Sequence, residues 1–254
     1  MNVAAIRSHT PKGTRARDKI VRVAEKLLAA HGFHGTSMRD VADAAGLPLA
    51  SVVYHFAKKE RLYAAVLAEI GDQLQGELKE IIDDAERSHS ARLDGLVRAL
   101  VTWCEGNPGR VKLLVRELLD NESRVAKAAR LPLAPVLLGL SEFVEAGTAA
   151  GAFRQVVPEI AVLHLVGAVS YYVAARPTVK RIVGVVRERR MAASYEREAI
   201  VFARRMFVAP PPEIHPHGSE ETDQPGSSSP RARRAPHHGQ GRGPDRAGGA
   251  HLRR

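Results

Sequence analysis

The stretch TSMRDVADAAGLPLASVVYHFAKKERL, residues 36–62, decides the fold because it places two short apolar helical patterns on either side of a glycine. One face of the first pattern is apolar, and this predicted buried face comprises Met38, Val41, Ala42 and Ala45. Either Thr36 or Ser37 can cap this helix, and Gly46 ends it. Residues 47–56 then form the next short helix, so the spacing predicts a helix-turn-helix.

The second short helix has two different sides. Leu47, Val52 and Phe56 are predicted to face inward. Its other residues are predicted to face outward or lie at the edge, and these are Ser51, Val53, Tyr54 and His55. A helix that only filled a core would need neither this polar aromatic end nor the lysines at positions 58 and 59. A helix that lies in the major groove of DNA needs both, because it reads base edges while neighbouring groups hold phosphates.

Helical periodicity continues through most of the chain, and no stretch shows the alternation of a strand. The predicted helices outside the motif span residues 14–31, 59–84, 90–105, 110–119, 132–150, 158–175 and 179–207, with breaks at 107–108, 151 and 176–177. The fold is therefore predicted to be all-α. We divide it into a flexible basic arm (1–13), a helix-turn-helix domain (14–62), a larger helical body (63–208) and a disordered tail rich in Pro, Gly, Ser, Arg and His (209–254).

Charge and composition narrow the function classes. The formal net charge is +10, and residues 1–62 hold 11 basic residues against 5 acidic ones, which suits a polyanionic partner. Cys104 is the only cysteine, so neither a disulfide nor a multi-cysteine zinc site is expected. Without a signal-like segment or a run of 18 apolar residues, we expect a soluble, cytoplasmic protein. The sequence shows no catalytic motif, so we predict a non-enzyme that needs no cofactor and no metal.

Residues 36–62 resemble the DNA-binding signature of the TetR family of transcriptional repressors (TetR/AcrR type). The matching residues are Thr36, Arg39, Val41, Ala42, Ala45, Gly46, Ser51, His55, Phe56, Lys59, Glu60 and Leu62. Three positions depart from the family pattern. Pro48 replaces a serine, Ala50 a glycine and Val53 an aromatic residue, so a capping hydroxyl and a phosphate-binding phenol are lost. We therefore expect a different operator sequence from that of better-matching members.

The resemblance, together with groove geometry, implies a set of DNA contacts. The predicted DNA-binding residues are Arg15, Arg17, Thr36, Ser37, Arg39, Pro48, Leu49, Ala50, Ser51, Val53, Tyr54, His55, Lys58 and Lys59. Of these, Leu49, Ala50 and Ser51 are expected to lie nearest the bases. The others are expected to reach phosphates, the groove rim or, for Arg15 and Arg17, an adjacent phosphate or the minor groove.

The family also implies a homodimer and a small-molecule effector. Two reading helices on two half-sites supply the specificity that one short helix lacks. The implied interface is formed by the last two long helices, at about residues 159–175 and 195–207, and includes Leu163, Val166, Gly167, Ser170 and Tyr171. The residues predicted to line an effector pocket are Trp103, Cys104, Leu114, Leu118, Phe143, Phe153, His164 and Tyr172. Plain core packing is the alternative for each of them, including Cys104 as a buried structural residue.

The chain is therefore predicted to be a site-specific transcriptional regulator, a repressor that its effector releases from a double-stranded DNA operator. The alternative is a DNA-binding protein without an effector, either a constitutive regulator or a nucleoid-type binder. Strong salt dependence with little preference for one site would distinguish the nucleoid-type binder.

Overall fold

The computed structural model describes residues 11–120 and 131–208, and within these ranges the chain forms nine α-helices and no strand. In chain order the helices are α1 (Pro11–His31), α2 (Met38–Ala45), α3 (Leu49–His55), α4 (Lys59–Ile82), α5 (His89–Gly106), α6 (Pro108–Asp120), α7 (Ala134–Ala149), α8 (Pro158–Val183) and α9 (Val185–Phe207). The prediction of an all-α fold is thus confirmed.

The first three helices pack around a small apolar core. This core is formed by buried residues of all three helices and of the segment that follows α3, namely Ile20, Val21, Ala24, Leu28, Val41, Ala42, Ala45, Val52 and Phe56. Val52 and Phe56 face inward as predicted, whereas Met38 and Leu47 are only half-buried. Burying these side chains stabilises the angle between α2 and α3.

Helix α4 connects this N-terminal part to the rest of the described chain. Its 24 residues span about 36 Å at 1.5 Å per residue. One side of α4 is buried along its whole length, through Leu62, Tyr63, Val66, Leu67, Ile70, Leu74 and Leu78. Because the buried side is continuous, no gap in packing marks the predicted domain boundary at residues 62–63, and that boundary stays a prediction.

The remaining helices, α5 to α9, form a larger helical body whose core includes an aromatic cluster. The rings of Phe143 and Phe153 meet edge-on with centroids 5.6 Å apart, and Phe207 lies 5.8 Å from Phe153. Gly147 lies directly beneath the Phe153 ring, where a β-carbon would overlap it. The last helix thus closes onto the loop between α7 and α8.

Three predicted boundaries are wrong. Helix α1 begins at Pro11, so residues 11–13 of the predicted arm are helical, while residues 1–10 and the predicted tail 209–254 lie outside the described residues. Helix α3 begins at Leu49 because Pro48 occupies its N-cap. Helix α8 does not break at Pro177 but continues to Val183, although an internal proline removes one backbone N–H and crowds the carbonyl four residues earlier. The chain reverses instead at Gly184, with φ of +83°.

Candidate nucleic-acid interface

The start of α2 is fixed by a capping box between Ser37 and Asp40. The Asp40 N–H donates to Ser37 Oγ at 3.1 Å, and the Ser37 N–H donates to Asp40 Oδ2 at 2.8 Å. Hydrogen bonding of the Asp40 carboxyl to Ser37, first to its backbone N–H and second to its hydroxyl, holds the pKa of that carboxyl below its ordinary value. Of the two predicted caps, the structure therefore selects Ser37 over Thr36.

The turn between α2 and α3 depends on Gly46, which has φ of +60° and ψ of +40°. The Gly46 N–H donates to Asp43 O at 3.0 Å, and the Leu47 N–H donates to Ala42 O at 3.0 Å. This left-handed C-cap suits glycine, because a β-carbon is strained in that conformation. The turn sets the angle at which α3 leaves α2.

Helix α3 presents a continuous exposed surface. Tyr54 is 71% exposed, and Leu49 and Val53 are also exposed. Pro48 and Ala50 are exposed, while Ser51 and His55 are half-buried. The surface therefore combines a phenol, a hydroxyl, an imidazole and small apolar groups, which are the side chains that contact base edges, thymine methyls and phosphates.

The two predicted contacts Thr36 and Lys59 point into the protein. Thr36 is buried, and its hydroxyl donates to Gly32 O at 3.0 Å. Lys59 Nζ donates to Phe33 O at 2.9 Å and to Thr36 O at 3.0 Å, and it lies 4.4 Å from the centre of the Phe33 ring. These side chains hold the α1–α2 loop against the start of α4. Two of the three ammonium donors of Lys59 are thereby occupied.

The other predicted basic contacts differ in their surroundings. Arg15 is exposed on α1, Arg39 is exposed on α2, and Lys58 is exposed just before α4. The Arg17 guanidinium instead lies 5.5 Å from the centre of the Phe56 ring, with Asp18 Oδ1 3.9 Å away. Arg17 thus covers the end of the helix-turn-helix core, and both Arg15 and Arg17 belong to α1 rather than to an arm.

Helix α6 attaches the helix-turn-helix part to the body. Arg110 donates from Nε to Glu25 Oε1 at 2.7 Å and from Nη2 to Glu25 Oε2 at 3.0 Å, a two-pronged ion pair that links α6 to α1. Arg116 Nη1 donates to Ala29 O at 3.0 Å. These three hydrogen bonds fix α6 against α1.

The predicted pocket residues do not form one group. Trp103, Cys104, Phe143 and Phe153 are buried, and Leu114 and Tyr172 are half-buried. Leu118 is 68% exposed and His164 is also exposed, so the prediction that these two line an internal pocket is wrong. An exposed imidazole can be solvated and needs no internal partner. Burial, followed by the nearby charge of Glu105, raises the pKa of the Cys104 thiol to about 12.

A cleft of about 530 Å³ opens between α4, α5 and α7. It has both apolar and charged walls, and the residues that line it include Leu78, Ile82, Arg92, Val136, Glu142 and Phe143. Arg92 Nη1 donates to Ile82 O at 2.8 Å, and its guanidinium lies 5.4 Å from the centre of the Phe143 ring. Of the predicted pocket residues, Phe143 alone lines this cleft.

A second group of aromatic side chains joins α8 to α9. The rings of Tyr172 and Tyr195 stack at 3.4 Å, and Tyr195 Oη donates to Ala168 O at 3.1 Å. Burial is the main cause that raises the pKa of both phenols. Within the part of the chain that the structure describes, Trp103 Nε1 and Tyr172 Oη are buried without a hydrogen-bond partner. Buried polar atoms of this kind are candidate ligand contacts.

Helix α8 has an exposed apolar face, which includes Ile160, Leu163, Tyr171 and Ile182, and α9 exposes Val186 and Phe202. By length and composition α8 is the one described helix that could cross a membrane, and only 28% of its most apolar window is buried. An apolar face of this size marks an interaction surface. Among the predicted interface residues, Leu163, Gly167 and Tyr171 are exposed, while Val166 and Ser170 are half-buried.

Two family models match the chain. Residues 20–66 match the model described as "Bacterial regulatory proteins, tetR family", and residues 90–202 match "Tetracyclin repressor-like, C-terminal domain". Both the helix-turn-helix and the helical body are therefore similar to parts of the same family.

Similar curated proteins are transcriptional regulators. The HTH-type transcriptional repressor KstR2 of Mycolicibacterium smegmatis is 36% identical over 83 residues, which are 33% of this chain and 40% of that protein. The match to KstR2 of Rhodococcus jostii is 31% identical and covers 42% and 53% of the two chains, so these matches span about half of each relative or less. The HTH-type transcriptional regulator RutR of Escherichia coli is 24% identical over 69% of this chain and 84% of its own.

Solved structures share the fold. The fatty acid degradation regulator FadR of Bacillus halodurans aligns with a TM-score of 0.60 at 17% identity and covers 76% of this chain and 97% of its own. FadR of Bacillus subtilis in complex with stearoyl-CoA aligns with a TM-score of 0.58 at 15% identity, covering 73% and 96% of the two chains. At these identities the likeness concerns the fold alone.

Proposed function

This chain belongs to the TetR family of bacterial regulatory proteins, and from that premise we propose that it is a cytoplasmic, homodimeric repressor that a small-molecule effector releases from a DNA operator. The observation that carries the proposal is the two-sided α3. Val52 holds the helix on the core, while Leu49, Val53 and Tyr54 remain exposed. A transcriptional regulator of this family needs such a helix in the major groove.

In the proposed complex, α3 reads bases and the surrounding elements hold phosphates. Leu49, Ala50 and Ser51 lie at the N-terminal end of α3, the part that reaches base edges in a helix-turn-helix complex. The groups around them supply phosphate contacts, and these are the exposed Arg15, Ser37, Arg39, Tyr54 and Lys58 and the half-buried His55. Thr36 and Lys59 act through the backbone that they hold in place.

We further propose that the exposed face of α8 and α9 is the dimer interface. Ile160, Leu163 and Tyr171 recur along one side of α8, and Gly167 between them permits close approach of a second helix. Covering this face with the same face of a second copy removes apolar surface from water and fixes the spacing of two α3 helices. The resulting distance between the reading helices must match that between two half-sites.

The proposed effector acts on the body. The cleft of about 530 Å³ between α4, α5 and α7 is within the size range of small-molecule sites, which is roughly 300–1,000 Å³. A ligand that binds this cleft touches the C-terminal part of α4, whose N-terminal end carries the helix-turn-helix. Effector release then follows from linkage. A ligand that prefers the conformation with displaced α3 helices lowers operator affinity, and it does so by the same factor by which operator DNA lowers the affinity for the ligand.

The test is binding of the purified protein to the DNA upstream of its own gene, measured by fluorescence anisotropy with scrambled competitor. We expect competitor-resistant binding that Ser51→Ala weakens about tenfold, since a lost base contact costs roughly 1–3 kcal/mol. Tyr54→Ala should also weaken binding, through loss of a phosphate contact. Thr102→Ala, at an exposed position of α5, is the matched control and should bind like the unaltered protein.

If no genomic fragment recovered by selection competes better than scrambled DNA, the proposed function is wrong. Specific binding that no compound from a broad effector screen reverses would instead favour a constitutive regulator.

A further inference from the structure

The turn between α8 and α9 carries a dense group of cations, which we call the basic hairpin (residues 180–190). Its cations are Lys180, Arg181, Arg187, Arg189 and Arg190, and all five are exposed. Within residues 11–120 and 131–208, none of these five side chains has an ion pair or a hydrogen bond. The single acid of the hairpin, Glu188, is buried and paired with Arg176 at 2.7 Å. The positive charge at this turn is therefore uncompensated.

The basic hairpin follows the part of α8 that lies against the end of α5 and against α6, which in turn contacts α1. Arg176 Nη1 lies 3.4 Å from Glu105 Oε1, which places this level of α8 beside the C-terminal end of α5. Helix α6 begins just after that end, and its Arg110 pairs with Glu25 of α1. The chain of contacts from α8 through α5 and α6 to α1 thus joins the hairpin side of the body to the DNA-binding part.

The hairpin extends beyond the body. Gly184 follows Arg176 by eight residues, so the turn lies about 12 Å past the Glu105 contact at 1.5 Å per residue. Lys180 lies one helical turn after Arg176 on the same face of α8, yet it is exposed. Helix α5 therefore no longer covers α8 at this level. Ile182, beside the turn, is 76% exposed.

We propose that the basic hairpin is a second DNA-binding surface, which holds backbone phosphates near the site that α3 reads; this inference rests on the proposed function. Guanidinium groups suit phosphates because their donors match two oxygens at once. Ile182 and Val186 continue the apolar face of α8 and α9 to the turn. In a dimer whose second copy covers this face, the two basic hairpins lie together between the two helix-turn-helix parts.

The chemistry of a basic, partly apolar turn also suits an anionic lipid surface. The position of the hairpin favours DNA, because the contacts above link its side of the body to α1 of the DNA-binding part. A phosphate-binding surface contributes affinity without choosing the sequence. Its loss should therefore change the salt dependence of binding and leave site preference intact.

The experiment compares Arg181→Gln/Arg187→Gln with the control Lys79→Gln/Arg87→Gln in the full chain, by anisotropy on the selected operator between about 50 and 200 mM salt. The control removes two exposed cations near the far end of α4. Each phosphate contact that the variant removes lowers the slope of log K against log salt by about 0.9. If both arginines of both protomers bind phosphates, four contacts are lost, and the affinity drop across that fourfold salt range becomes about 150-fold smaller in the hairpin variant.

Equal salt slopes for the hairpin variant, the control and the unaltered protein, with all three dimeric by sedimentation, would overturn the inference. So would unchanged operator binding together with loss of binding to phosphatidylserine vesicles, because the hairpin would then be a lipid-binding surface. Both outcomes require an intact operator complex. Failure of the unaltered protein to prefer any operator instead overturns the proposed function, so the two failures are distinguishable.

Discussion

Replacing Lys59 with methionine should destabilise the helix-turn-helix part while leaving the exposed surface of α3 intact. The ammonium donates to Phe33 O at 2.9 Å and to Thr36 O at 3.0 Å. Hydrogen bonds to a charged group contribute about 1.5–3 kcal/mol each when buried. Lys59 is half-buried, so we take the low end for each and add about 0.5 kcal/mol for the contact with the Phe33 ring.

The expected loss is therefore about 3.5 kcal/mol in the free energy of unfolding. For a chain of this size that corresponds to a fall in Tm of about 7–14 °C. The assay is urea and thermal unfolding followed by circular dichroism, at a fixed protein concentration because a dimer gains stability by mass action. Methionine keeps the length and apolar character of the lysine stem, so packing is changed as little as possible.

Lys58→Met is the matched control, because Lys58 is exposed and precedes Lys59 by one residue. We expect Lys58→Met to retain full stability and to bind the operator more weakly, through loss of a phosphate contact. Equal stability of the two variants would refute the reasoning. So would a stable Lys59→Met protein that has lost operator binding, because Lys59 would then act on DNA rather than on the α1–α2 loop.

Three further outcomes follow from individual positions. Gly46→Ala should destabilise the fold by about 1–2 kcal/mol, because the φ of +60° at this position strains an alanine. The control Gly76→Ala lies in an exposed helix interior with open space and should be neutral or stabilising by up to about 1 kcal/mol. Urea midpoints measure both effects. Gly147→Ala should cost about 1–3 kcal/mol, seen in the same assay, because the new methyl overlaps the buried Phe153 ring. Cys104, whose pKa is raised to about 12, should resist a thiol reagent at about pH 8 in the folded protein, because that pH lies far below the pKa, and should react fully in denaturant.

Local signals in the sequence determined the helix-turn-helix formed by α2 and α3. The apolar period, a capping hydroxyl at Thr36 or Ser37 and a glycine at the turn each act over a few residues, so α2 and α3 could be predicted from residues 36–56 alone. The choice of Ser37 over Thr36 needed the structure. The inward position of Val52 and the exposure of Tyr54 follow from the same period. The all-α fold was predictable for the same reason.

Tertiary contacts decided which of two similar, neighbouring side chains is exposed and which is bonded within the protein. Lys58 and Lys59 are adjacent identical residues, yet one is exposed and the other is bonded to a loop 26 residues away in the chain. His164 lies outside the core because α8 has one face that no described helix covers, and sequence alone does not say which face that is.

Pro177 shows the same limit for helix boundaries. It predicts a break, but packing and the ion pair of Arg176 with Glu188 of α9 hold α8 together across it and move the turn to Gly184. That shift places five exposed cations at the turn, a surface that the predicted break had obscured. Residue type and period fix local conformation over one or two helical turns, whereas partners far apart in sequence select which side chains remain free to bind.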